Sequence, residues 1–289
     1  MRTLTLYGMV ERILGRRLVW RLGRWLYTGS RRELQNDPLV NGEYQLQSWL
    51  LAGARNDKPL LFIDVGANIG NWTGVLLAKL KTSFSGRYRI HVFEPAPAQY
   101  AALVGRLGPQ IADGTVVADR RGLAAHSGRA SFHVTGTLSG TNALEAPSVS
   151  IPKPGSIEVE IATLDQVCAE QGYGHIDLVK VDTEGNDFNV ISGARRLLDE
   201  QAIGILQFEY NWRWIRFGHS LFEVFEFLNG RPYVLGKLSQ AGVEVYGTWH
   251  PELDRYIETN YVLVHRDRLD AIPHVMAFFD GSNVPRLTN

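Results

Sequence analysis

One stretch of this 289-residue chain has the residue types and spacing for binding a small molecule: Leu61-Phe62-Ile63-Asp64-Val65-Gly66-Ala67-Asn68-Ile69-Gly70. An apolar strand that ends in Asp64 and turns at Gly66 can bring its backbone close to a ligand. Gly70 lets the following helix sit close against the strand. The first-turn amides of that helix would point at the ligand, where a carboxylate is favoured. Ligands of open parallel sheets bind at the carboxyl ends of the strands, where this turn sits. Asn68 stands where the second Gly of the dinucleotide fingerprint would be, and no Gly-Lys-Ser/Thr follows, which counts against NAD, FAD and a P-loop. A second acid, Glu94 in Phe93-Glu94-Pro95, closes the next apolar run. An acid there can accept two hydrogen bonds from ribose hydroxyls. Pro95 holds Glu94 extended.

The elements that must position these residues follow from the pattern. Short apolar runs alternating with helical periodicity argue for βα units and a mostly parallel sheet. Strands are expected at 60–64, 88–93, 115–118, 176–181 and 203–209, with shorter ones at 233–235, 243–246 and 261–264. Helices are expected at 69–80, 97–106, 187–198 and 221–228. Residues 130–134 and 157–161 read as a hairpin pair around a Gly/Ser/Pro-rich loop, 135–156, which is either a flexible cover beside the site or a surface insertion.

Hydrophobic residues make up 45% and charged residues 21%, as in an ordinary globular protein. Net charge is zero, but residues 1–32 hold eight Arg against Glu11 alone, so this segment carries +7 and the remainder −7. Within 4–26, Leu6, Val10, Ile13, Leu14, Leu18, Leu22 and Trp25 fall on one helical stripe, beside Arg12, Arg16, Arg17, Arg21 and Arg24. Two readings stand: a helix packed on the main domain with a solvated basic face, or one lying on an anionic membrane with Trp20 and Trp25 near the headgroups. The expected division is a basic amphipathic helical extension, 1–55, and a main domain, 56–289. The single Cys168 permits no internal disulfide and suits a reducing cytoplasm, with peripheral contact at the inner membrane face as the added expectation.

The segments FIDVGANIGNWT, VFEP, TLD (Thr163–Asp165), KVDTEGNDFNVISGA (Lys180–Ala194) and QFEYN (Gln207–Asn211) together resemble the FkbM family of methyltransferases over roughly residues 60–212. The resemblance implies a class I, Rossmann-like α/β methyltransferase fold: a seven-stranded, mostly parallel sheet with helices on both faces and one antiparallel strand near the edge. It implies S-adenosylmethionine as donor and a hydroxylated acceptor, chiefly a sugar in a glycan, glycolipid or natural product. By position, Asp64, Gly66, Ala67, Asn68 and Gly70 would contact the methionine part, Glu94 the ribose, and the segment from Asp119 to Leu123 the adenine. Arg121-Gly122-Leu123 departs there from the small residue and Ala-Leu that the family often carries.

In that fold the fourth and fifth strands end beside the transferred methyl group. They end here at Asp182-Thr183-Glu184 and Glu209-Tyr210-Asn211. Three carboxylates near one site push at least one pKa upward, which suits a general base. Asp182 ranks first for that role, Glu209 second and Glu184 third. The plainer roles are a helix cap for Glu184 and a salt bridge to Lys180 or an Arg for Glu209. The same groups could hold Mg²⁺, which is not favoured. The histidines lack ligand spacing; His219 could face the acceptor or serve a helix start. Trp212, Trp214, Phe217 and Phe222 suit either stacking on an acceptor or core packing. Methylation of another small molecule or an amine, and a non-catalytic cofactor-binding module, are the alternative functions. The acidic main domain argues against nucleic acid.

Overall fold

The structure is a computed structural model that describes residues 2–33, 37–136, 142–145 and 155–288, with side chains from residue 7 onward. In chain order its strands are β1 (Leu60–Val65), β2 (Tyr88–Phe93), β3 (Val116–Asp119), β4 (Gly122–Leu123), β5 (Gly128–His133), β6 (Ala143–Leu144), β7 (Ser156–Ala162), β8 (Ile176–Val181), β9 (Ile203–Tyr210), β10 (Tyr233–Ser239), β11 (Gly242–Tyr246), β12 (Thr259–His265), β13 (His274–Phe279) and β14 (Pro285–Thr288). The main sheet runs β14-β13-β11-β10-β12-β9-β8-β1-β2-β3. Its five strands from β3 to β9 are parallel, and β12 pairs antiparallel with both β9 and β10.

The sheet is thus α/β and mixed, with ten strands where seven mostly parallel ones are expected. β13 and β14 account for most of the difference; they lie at the sheet rim, where most of their residues are exposed or half-buried. The final hairpin is closed by Asp280, whose carboxylate accepts the Ser282 and Val284 amides and the Arg286 guanidinium.

Strands β1, β8 and β9 are buried on both faces, and their sequences are mostly apolar, with Asp64, Asp177, Lys180, Gln207 and Glu209 as the buried exceptions. In β1, Leu61, Ile63 and Val65 join one core and Leu60 and Phe62 the other. Helices Leu164–Gln171, Asp187–Ser192, Arg195–Asp199 and Leu221–Leu228 supply the first core. Helices Glu43–Ala52, Asn71–Ser83 and Pro97–Ala112 supply the second.

The helix expected at 187–198 is broken at Gly193, where a Cβ would run into the Ala124 carbonyl oxygen. The expected hairpin pair is β5 with β7, in a second sheet ordered β4-β7-β5-β6. Most of the 135–156 loop lies outside the described residues.

Met1–Asn36 and Asp37–Asn289 form two compact units. The first holds helices Arg2–Leu14 and Arg16–Ser30, separated at Gly15 with φ 75°, where one helix is expected. Residues 37–55 are expected with this basic segment. The structure instead packs Leu46 and Leu51 of helix Glu43–Ala52 into a core of the second unit. Among the described residues, no helix is long and apolar enough to cross a membrane.

Candidate active site

The carboxyl ends of β1, β2 and β8 open onto a cavity. Gly66 and Asn68 line it from the first turn, Glu94 from the second, and Asp182, Glu184 and Asn186 from the third; Leu123, Phe132 and Leu144 add apolar wall. Gly66 has φ 75°, and a Cβ there would collide with the Asp182 carbonyl oxygen. The amides of Gly66 and Ala67 both donate to the Phe93 carbonyl, at 3.1 and 2.9 Å. The Glu94 carboxylate accepts the Asn68 amide at 2.8 Å and the Ala96 amide at 2.8 Å. Burial pushes Glu94 up to about 7, against the pull of those two amides. Asn68 sits in the left-handed region, φ 50°, and its buried side-chain oxygen has no hydrogen-bond partner.

The other residues expected at the cofactor do not line the cavity. Asp64 is fully buried; it accepts the Thr73 hydroxyl at 2.6 Å and lies 3.3 Å from the Lys180 ammonium. Ala67 is buried in the core, and Gly70 opens helix Asn71–Ser83 against Leu107. Asp119 pairs with Arg121 at 2.8 Å. Burial raises the Asp119 pKa, but His91 and Arg121 outweigh it and hold the group well below the usual carboxylate range.

Beneath the turn lies a feature that no sequence motif marks. Buried Lys180 reaches Asp64 at 3.3 Å, Asp182 at 3.4 Å and the Gly66 carbonyl at 3.2 Å. Burial opposes its charge, yet Asp64 and Asp182 keep the ammonium protonated. Glu43 faces the same group from its helix, and burial pushes it up to about 7 against the attraction of Lys180. The pairing of β1 with β8 sets Asp64 opposite Lys180, a proximity that no local motif announces.

The three candidate bases are placed differently. The Asp182 side chain is 42% exposed, within the cavity wall. Glu184 has φ 58° and pairs with Arg213 at 2.9 Å; burial and then Asp182 push it up to about 8, against Arg213. Glu209 does not line the cavity. It is buried and bonded to the Asn211 amide at 2.6 Å rather than to Lys180 or an Arg, and burial together with Asp182 raises it well above the carboxylate range. Glu184 does not cap the following helix, whose N-cap is Asn186 without a side-chain cap bond; Asp187 instead accepts the Thr183 and Gly185 amides of the preceding turn at 3.3 and 3.1 Å.

The flanking candidates separate as well. Trp214 is core, its indole donating to the Glu209 carbonyl at 2.9 Å, whereas Trp212 is exposed beneath Arg213 and Arg216. His219 is held between Asn189 and Glu223. Cys168 is buried, its thiol pushed up to about 12. Among the described residues, no group of three or more His, Cys, Asp or Glu is placed to hold a metal ion.

Residues 64–235 match a family model described as the methyltransferase FkbM domain. The hexuronic acid methyltransferase AglP of Haloferax volcanii is 28% identical over 169 residues, 58% of this chain and 63% of that protein; the chain therefore spans less than two thirds of this relative's length. Among solved structures, methyltransferase FkbM from Methylobacillus flagellatus KT is 18% identical, covering 73% of this chain and 45% of that one, with a TM-score of 0.46. An rRNA methylase from Streptococcus thermophilus is 10% identical, covering 78% and 96%, with a TM-score of 0.41.

Proposed function

The chain belongs to the FkbM methyltransferase family, and from that premise we propose that it moves the methyl group of S-adenosylmethionine onto a hydroxyl of a sugar-bearing acceptor. The observation that carries this reading is the braced turn. Glu94 ties two backbone turns together while lining the cavity, and Asn68 leaves a buried oxygen unpartnered beside it. A site that holds a polar ligand needs such spare acceptors, because a buried polar atom without a partner costs about 1–3 kcal/mol. The sugar reading draws on the hexuronic acid acceptor named for AglP.

The remaining lone pairs of Glu94 take the ribose hydroxyls, and the Asn68 oxygen accepts from the methionine ammonium. When bound, the donor supplies an electrophilic methyl group. The acceptor hydroxyl donates to Asp182, whose carboxylate takes its proton; Lys180 holds that carboxylate from below. Such a base contributes about 10²–10⁴-fold. Leu123 and Phe132 exclude water from one side. Asp64, Ala67, Gly70 and Asp119 shape the site without touching the ligand, and Glu209 supports it from behind. No metal is required for this scheme.

Calorimetry with S-adenosylhomocysteine tests the donor site directly. Binding is expected for the intact chain and loss of binding for E94A; an intact chain that ignores this ligand overturns the proposal. Transfer of a labelled methyl group to a panel of uronic acid and neutral glycans then tests the acceptor class.

A further inference from the structure

The first unit carries a surface that the methyltransferase reading leaves without a role. In helix Arg16–Ser30, no residue is buried. Leu18, Leu22, Trp25 and Leu26 recur at helical spacing on one face, and all are exposed, Trp25 to 62%. Arg17, Arg21 and Arg24 recur on the adjoining face and are exposed too. The Arg24 guanidinium lies over the Trp20 ring at 5.3 Å. The preceding helix continues the pattern, with Val10, Ile13 and Leu14 exposed and Ile13 at 80%. Gly15 separates the two helices.

We propose that residues 7–30 lie on an anionic lipid bilayer, with the Leu/Trp face in the acyl boundary and the arginines at the headgroups. Charge decides the occupant. The segment to residue 32 carries +7 in a chain of zero net charge, so the apolar face is framed by cations. A partner that buries apolar area while offering many negative charges in one plane matches this, and a bilayer rich in acidic lipid does so. Neither helix is long and apolar enough to span a membrane, so the contact is peripheral.

The test is sedimentation of the intact protein with vesicles of phosphatidylglycerol and phosphatidylcholine, against phosphatidylcholine alone. Binding is expected with the acidic vesicles and should weaken as salt is raised. R17Q/R21Q/R24Q should reduce partitioning about a hundredfold. L22E/W25E should abolish it while circular dichroism and elution volume stay unchanged. Absence of binding at low salt overturns the proposal. So does an L22E/W25E protein that still binds, since the contact would then be one that any polyanion, nucleic acid included, could make. A wild-type dimer that L22E/W25E converts to a monomer, without vesicle binding by either, would assign the face to a second copy instead.

Discussion

Glu94 accepts the backbone N–H of Asn68 at 2.8 Å, so the acid that follows β2 fixes the turn that follows β1. Its other oxygen accepts the Ala96 amide. Glu94→Gln would put an amide N–H against one of these donors, leaving a buried mismatch of about 1–3 kcal/mol. S-adenosylhomocysteine affinity should fall about tenfold to a hundredfold, and the thermal midpoint should drop with it. Because burial pushes Glu94 up to about 7, its ionised, accepting form grows as pH rises. Wild-type affinity should therefore increase between pH 6 and pH 8, and E94Q should lose that dependence. A flat wild-type profile would speak against the ribose role.

Two glycines make an opposed pair. Gly66 combines φ 75° with a backbone oxygen where a Cβ would go, so Gly66→Ala should lose about 3 kcal/mol or fail to fold. Gly105 lies exposed inside helix Pro97–Ala112, and a Cβ there meets nothing within 4 Å. Gly105→Ala should stabilise by about 0.5–1 kcal/mol. Chemical denaturation of both variants checks the contrast.

Asp182→Asn should lower methyl transfer by about 10²–10⁴-fold while leaving S-adenosylhomocysteine binding near wild type. Glu184→Gln should have a small effect below pH 8, where burial already keeps most of that carboxyl protonated. If E184Q is the variant that abolishes transfer at pH 7, with D182N nearly silent, the proton acceptor is misassigned.

Stability should fall as pH rises. Glu43, Glu94 and Asp187 are each raised to about 7, and Glu184 to about 8, so the folded state holds protons that the unfolded chain releases near its ordinary carboxyl range. A raised carboxyl pKa gives a contribution that is full below the unfolded pKa and is lost as pH climbs through the folded one. The thermal midpoint of the ligand-free protein should therefore decline from pH 5 to pH 8.5. Glu43→Gln should flatten the slope and stabilise by up to roughly 3 kcal/mol at pH 8, with little change at pH 5.

What could be read in advance follows from where each interaction is encoded. β2 and β8 were legible end to end because each is rich in apolar, strand-favouring residues between breaks in that pattern, despite Arg89 and His91 in one and Asp177 and Lys180 in the other. The place of Glu94 at the cavity was legible because a local turn, Phe93-Glu94-Pro95, sets it. Helix Glu43–Ala52 was not: its buried face mixes Leu46 and Leu51 with Glu43 and Gln47, which blurs the apolar stripe. Lys180 escaped notice because its partners Asp64 and Asp182 meet it through pairing across the sheet and along β8, with no motif to mark the triad. The position of Glu209 near the end of β9 does not reveal that its carboxylate accepts the Asn211 amide and stays off the cavity wall.

The final hairpin bears on how the molecule behaves in company. A sheet rim with free backbone groups invites a strand from a neighbouring molecule. Here the rim strand, β14, begins with Pro285, which has no N–H to offer, and carries Arg286, anchored to Asp280 at 2.7 Å. Asp280 also gathers the turn amides, so the clasp closes on local contacts alone. The rim thereby offers little for fibre growth or strand exchange.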